Sequence, residues 1–192
     1  FRYRQSQCYA MQEDPIYRIW MRFEEPSDEF ADGLWVHTFR RLLPPEEYGE
    51  THPEYYSYIN GMRRPGNASQ WCLTNPELFE IVAARIDSIF KANPARNMIS
   101  VSQNDGNFTN CHCEECSKID EYEGSLSGNY VRFLNKLAER FPDKQFSTLA
   151  YLFTMHPPKH VKPLPNVNIM LCDIDTKREV PLTDNASGRD FM

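Results

Sequence analysis

No stretch of this chain approaches the roughly 18 consecutive apolar residues that a membrane-spanning helix needs. There is no long run of either charge and no basic patch, and the net charge is −6, which argues against a nucleic-acid surface. Phosphate-cradling GxxxxGK[ST] and GxGxxG motifs are missing, as is the GxSxG nucleophile turn. No repeat, low-complexity tract or linker breaks the chain, so residues 1–192 read as one domain. No leader peptide stands at the start. The chain begins at Phe1 and ends at Met192 after a polar loop, so it reads as an excised segment, and the missing leader says nothing about destination. Six cysteines are too few for a disulfide scaffold in 192 residues.

What is present points to a packed α/β domain. Hydrophobic residues are 41% and aromatics 13%, enough for a sizeable core, and aromatics also line sugar sites. Four short apolar runs read as strands: Leu34–Phe39, Met98–Ser102, Phe146–Tyr151 and Val167–Cys172. They do not alternate cleanly, as expected for strands buried on both faces of a parallel sheet. One helix begins at Asn75-Pro76-Glu77, where asparagine caps, proline fits the first turn and glutamate suits the positive end of the dipole. Its apolar face is Leu78, Ile81, Val82, Ile86 and Ile89. A second helix runs from Ser127 to Phe141 on Val131, Leu134, Leu137, Ala138 and Phe141, and Pro142 stops it. Between Tyr151 and Val167 there is room for a loop but hardly for a helix. A closed barrel needs eight strands. The pattern therefore fits an incomplete segment of a TIM-type (β/α) barrel, with an open α/β sheet as the alternative.

In parallel α/β folds the working side chains stand at the C-terminal ends of strands. Here those are His37, Asn104 with Asp105, Tyr151 and Asp173. An imidazole, an amide, a phenol and carboxylates on one rim suit a polyhydroxylated ligand, and a carboxylic acid can protonate a glycosidic oxygen. Asn104-Asp105-Gly106 also suits a plain tight turn. A lone histidine such as His37 is more often structural. Trp35 and Trp71 could stack on a sugar but fit the core better.

The run Cys111-His112-Cys113-Glu114-Glu115-Cys116 is more specific. Three thiolates this close can share a tetrahedral zinc, with Cys72 or His112 as fourth ligand. Disulfides among these cysteines and free thiols remain open alternatives. The acidic residues Glu114, Glu115, Asp120, Glu121 and Glu123 read as a solvated face. Asn67-Ala68-Ser69, Asn107-Phe108-Thr109 and Asn185-Ala186-Ser187 are glycosylation sequons only in a eukaryotic secretory host.

A resemblance adds to this. Val36-His37-Thr38-Phe39, Leu43-Pro44-Pro45, His52-Pro53-Glu54-Tyr55 and Cys72-Leu73-Thr74-Asn75-Pro76-Glu77 occur together. Ile99 to Gly106, the cysteine loop, Thr148-Leu149-Ala150-Tyr151 and Pro157-Pro158-Lys159 follow them. This combination resembles the uncharacterised domain family 4838 over about Trp35 to Leu182. The resemblance implies a TIM barrel grouped with glycoside hydrolases, likened to α-glucuronidases and placed in the periplasm or outside the cell. A fainter similarity is to family 42 β-galactosidases. These carry an Asn-Glu pair with the acid/base glutamate, then a C-x-C-x-x-C zinc loop whose fourth cysteine lies upstream. Asn104-Asp105, Cys111, Cys113, Cys116 and Cys72 are similar in order. Aspartate in place of glutamate draws the carboxyl back by one methylene.

The expectation is a glycoside hydrolase-like protein acting on a polysaccharide or oligosaccharide. Asp105 would be the general acid/base, Asn104 would bond a sugar hydroxyl, and His37, Tyr151 and Asp173 would line the pocket. A structural zinc would sit on Cys72, Cys111, Cys113 and Cys116. The second catalytic carboxylate is expected outside this chain. The rival readings are a non-catalytic carbohydrate-binding barrel and a zinc-stabilised interaction module.

Overall fold

A computed structural model describes residues 13–24, 26–106, 109–174, 176, 177 and 179–184. The sequons at Asn107 and Asn185, and Cys8, lie outside these. Along the described chain come short helices α1 (Pro15–Met21), α2 (Pro26–Glu29), α3 (Phe39–Leu42) and α4 (Pro45–Tyr48), then a hairpin of β1 (Tyr58–Ile59) and β2 (Met62–Arg63). There follow α5 (Pro76–Ala92), β3 (Met98–Ser100), α6 (Glu114–Glu123), α7 (Ser127–Arg140), β4 (Gln145–Ala150) and β5 (Val167–Leu171).

Strands β3, β4 and β5 form a parallel sheet in chain order, with Ile99 opposite Phe146 and Phe146 opposite Val167. The sheet is open. Between β3 and β4 the chain crosses over through α6 and α7. Between β4 and β5 there is only a 3₁₀ turn, Leu152–Thr154, and a loop, as the spacing predicts. The two helices read from sequence are present. Asn75 caps α5 by accepting from the Glu77 and Leu78 amides at 2.9 and 3.1 Å. Leu78, Val82 and Ile86 on α5 are fully buried, as are Leu134 and Leu137 on α7. Each such side chain contributes about 1.5–3 kcal/mol by leaving water. Phe146 on β4 meets Phe90 edge-on at 6.4 Å and Phe141 at 6.2 Å, which seats α5 and the end of α7 against the sheet.

Two expectations need correction. Leu34–Phe39 is not a strand. The chain leaves the 3₁₀ turn Ala31–Gly33, reaches a left-handed backbone at His37 (φ 52°) and enters α3. A six-residue apolar run cannot distinguish a strand from a buried turn and helix start. The segment still runs beside β3. Phe30 bridges Met98 in parallel, the Ser100 amide donates to the Leu34 carbonyl (2.9 Å), and the Thr38 amide donates to the Ser102 carbonyl (3.1 Å). Where the ladder lapses, the Thr38 hydroxyl takes the place of a strand. It donates to the Ser100 carbonyl at 2.8 Å and accepts from the Ser102 amide at 3.0 Å.

The acidic face is the second correction. It forms α6, ended by Gly124 in the left-handed region (φ 65°), where glycine carries no Cβ penalty. Glu114, Glu115 and Glu121 are exposed, but Glu123 is 0% exposed. Its carboxylate accepts from Arg132 Nε (2.9 Å) and from the His160 and Val161 amides (2.8 and 3.1 Å). Burial alone would raise its pKa; the Val161 amide, Arg132 and the His160 amide together hold it below the ordinary glutamate value. Glu123 thus fastens the β4–β5 loop to α6.

Candidate functional site

Because β3, β4 and β5 are parallel, the residues that follow them share one edge of the sheet. Asp105 follows β3, Tyr151 follows β4 and Asp173 follows β5. His37 arrives from the segment beside β3 rather than from a strand end, and its Nδ1 lies 2.8 Å from the Gln103 carbonyl. Three of these side chains meet. The Tyr151 hydroxyl donates to Asp105 Oδ1 at 3.2 Å, and the His37 and Tyr151 rings stand edge to face, 5.6 Å apart. Asp105 is exposed, and His37 and Tyr151 are partly buried. Asp173 is exposed on the same edge, two strands from Asp105 and one from Tyr151, and no hydrogen bond joins it to the other three among the described residues.

Backbone strain gathers here. His37 and Leu152, the residue after Tyr151, both lie in the left-handed region at φ 52°. Such non-glycine positions cost about 1–3 kcal/mol each and persist where surrounding packing fixes them.

Asn104 is placed differently from its neighbour. It is 6% exposed, and both ends of its side-chain amide are engaged within the protein. Nδ2 donates to the Ser69 carbonyl at 2.7 Å and Oδ1 accepts from the Arg40 amide at 3.0 Å. Gln103, 0% exposed, donates from Nε2 to Thr154 Oγ1 at 2.7 Å while its carbonyl meets His37. Gln103 thereby joins the His37 segment to the turn behind Tyr151. Nothing in the sequence around Gln103 marks it, because a glutamine in a polar loop has no spacing signature.

The cysteines form a second centre. The Sγ atoms of Cys72, Cys111, Cys113 and Cys116 all lie within 4.8 Å of one another, and Cys113 is the least buried. Cys72 Sγ and Cys113 Sγ are 3.6 Å apart, and no disulfide joins any of the four among the described residues. A tetrahedron with metal–sulfur bonds of about 2.3 Å has sulfur–sulfur edges of about 3.8 Å, so the set fits one metal ion with little adjustment. Cys72 is placed by its neighbour Trp71, which bridges Tyr56 antiparallel. Trp71 is 1% exposed and stacked on Phe39 at 3.7 Å, so it is core.

Groups around the sulfurs suit thiolate charge. The Tyr58 amide donates to Cys111 Sγ at 3.3 Å. Arg63 lies 3.6 Å from the same sulfur while it donates to the Tyr56 carbonyl at 2.9 Å. The Thr74 hydroxyl is 3.3 Å from Cys116 Sγ. Hydrogen bonds from the Cys111 and Cys116 thiols, with Arg63 nearby, hold the Cys72 thiol well below the ordinary thiol range, while the same pairing raises Cys111 and Cys116, so the negative charge centres on Cys72. The β1–β2 hairpin turns Arg63 toward the cluster.

The profile of the family described as "Domain of unknown function (DUF4838)" matches residues 1–192, the whole chain. The chain belongs to this family. No curated protein and no solved structure matches it. Among the described residues no helix of the DUF4838 chain is long and apolar enough to cross a membrane.

Proposed function

We propose that this chain forms part of a (β/α) barrel of glycoside hydrolase type, with a carbohydrate held against the C-terminal edge of its parallel sheet. The observation that carries the reading is the Tyr151–Asp105 hydrogen bond at 3.2 Å beside the His37 ring. It gathers a carboxylate, a phenol and an imidazole from three separate chain segments. In this reading Asp105 exchanges a proton with the glycosidic oxygen, Tyr151 orients that carboxyl, and His37 and Asp173 meet sugar hydroxyls. Asn104 supports the site through the Arg40 and Ser69 backbone rather than through the sugar.

Zinc is the metal that four cysteines suit best, and its role is structural, since four protein ligands leave no open position for water. It would pin the loop after Asp105 to the segment that leads into α5. The family resemblance supports a periplasmic or secreted protein, and there the metal would also protect the thiols from oxidation.

The test is a panel of oligosaccharides, uronic-acid-containing ones included, titrated against the full-length protein and its Asp105→Ala and Tyr151→Phe variants. Binding that survives in wild type and weakens in both variants supports the site. Saturable sugar binding unaffected by either substitution refutes it. If sugar binds at this rim but no glycosidic bond is cleaved, the site is a carbohydrate-binding one.

A further inference from the structure

Gln70 is 0% exposed and belongs to neither centre described above. Its side-chain amide pairs with the backbone of Asn104 on both sides. Oε1 accepts from the Asn104 amide at 2.9 Å, and Nε2 donates to the Asn104 carbonyl at 2.9 Å. The same Nε2 donates to Thr109 Oγ1 at 3.0 Å. Gln70's own carbonyl accepts from the Ser57 amide at 2.9 Å.

The physical need is plain. A buried backbone amide and carbonyl require partners. At Asn104 a neighbouring strand would supply them, but the segment beside β3 has already turned into α3. The Gln70 side chain stands in for that strand, as Thr38 does at Ser100 and Ser102. The clamp falls one residue before Asp105, and its third bond reaches Thr109, two residues before Cys111. Gln70 itself lies two residues before Cys72.

We infer that Gln70 is a positioning residue: it sets the backbone from which Asp105 reaches Tyr151, and it ties that backbone to the segments that bear the cysteines. This rests on the reading of Asp105 and Tyr151 as a working pair. Asparagine at position 70 would fall one methylene short of bridging both backbone groups, and glutamate would lose both donated bonds.

The test uses protein labelled with carbon-13 at the tyrosine ring, and reads the Tyr151 Cζ resonance and the exchange rate of the Asn104 amide. Asp105→Ala supplies the resonance of Tyr151 without the Asp105 carboxylate. Gln70→Ala should move Tyr151 toward that position and speed Asn104 exchange about tenfold, the scale of one lost buried hydrogen bond. Thr109→Val removes a single bond of the clamp and keeps the side chain's size, so it decides the matter if Gln70→Ala fails to fold. It should produce a smaller shift in the same direction, with the cysteine cluster's metal content unchanged. If Asp105→Ala moves Tyr151 while every clamp variant that folds leaves the resonance and the exchange rate at wild-type values, the positioning role is overturned and the pair stands. If Asp105→Ala itself leaves Tyr151 unmoved, the pair is refuted and the positioning role falls with it.

Discussion

If the proposed zinc sits on Cys72, Cys111, Cys113 and Cys116, removing it should destabilise the chain, and the loss should depend steeply on pH. The Sγ atoms lie within 4.8 Å of one another, close enough to hold one metal ion, and a metal held there would be bound by thiolates. The unfolded chain carries the same groups as thiols near neutral pH, since an unperturbed cysteine has a pKa of about 8.5. The unfolded state then binds up to four more protons than the metal-bound state, so stability rises with pH. The limiting slope is four times the single-proton value, about 5 kcal/mol per pH unit below the thiol pKa. At fixed pH, free zinc at about a thousandfold over its dissociation constant adds about 4 kcal/mol. With a urea dependence of about 2 kcal/mol per molar, that moves the unfolding midpoint by about 2 M. Elemental analysis before any chelator gives the stoichiometry. Urea unfolding followed by the fluorescence of buried Trp71, in buffered zinc and in chelator at several pH values, gives the energy. Zinc well below one per chain, or midpoints that coincide with and without chelator, would refute the reasoning.

Asp105→Asn in the full-length protein should lower turnover of an oligosaccharide with a poor leaving group by about 10²–10⁴-fold, and unchanged turnover removes Asp105 as the acid. Glu123→Ala leaves the His160 and Val161 amides without their acceptor and breaks an ion pair whose arginine is half-exposed, so urea unfolding should show a loss of about 2–4 kcal/mol, mostly from the two amides. Since the folded pKa of Glu123 is lowered, its contribution is present above the ordinary glutamate range and is lost as pH falls through the folded value. The gap between wild type and variant should close in that acid window. A gap that persists there contradicts the assignment. Thr148 is 2% exposed and its hydroxyl has no hydrogen-bond partner among the described residues. Thr148→Val should therefore raise stability by about 1 kcal/mol, measured by the same unfolding curves.

Local signals in the sequence foretold much of the frame. Asn75-Pro76-Glu77 cap α5 as read, because a cap acts on atoms two or three residues away. The apolar stripe of α7 is buried as read, because its period is set by the helix itself. The runs at Met98 and Phe146 became parallel strands that are mostly buried, as read, whereas the run at Val167 became a parallel strand that is largely exposed, with Ile169 and Leu171 facing solvent. Direct reading of strand ends named Asp105 and Tyr151, and the C-x-C-x-x-C spacing named the thiol cluster. The sequence could also suggest Cys72, but only the fold brought its sulfur to the others.

What the sequence could not carry is whatever depends on groups far apart in the chain. Leu34–Phe39 has strand-like residues, yet tertiary packing turned it at His37 into α3 and left side chains to complete β3. That decision created the clamp at Gln70, whose partners lie 34 and 39 positions away. It also engaged Asn104 inward while Asp105, the next residue, faces solvent. Glu123 reads as one more surface acid, and its burial follows only from the β4–β5 loop that returns its His160 and Val161 amides to it. Composition and period act within a few residues. Hydrogen-bond satisfaction is enforced on buried groups wherever they come from, and only the tertiary structure decides which groups are buried together.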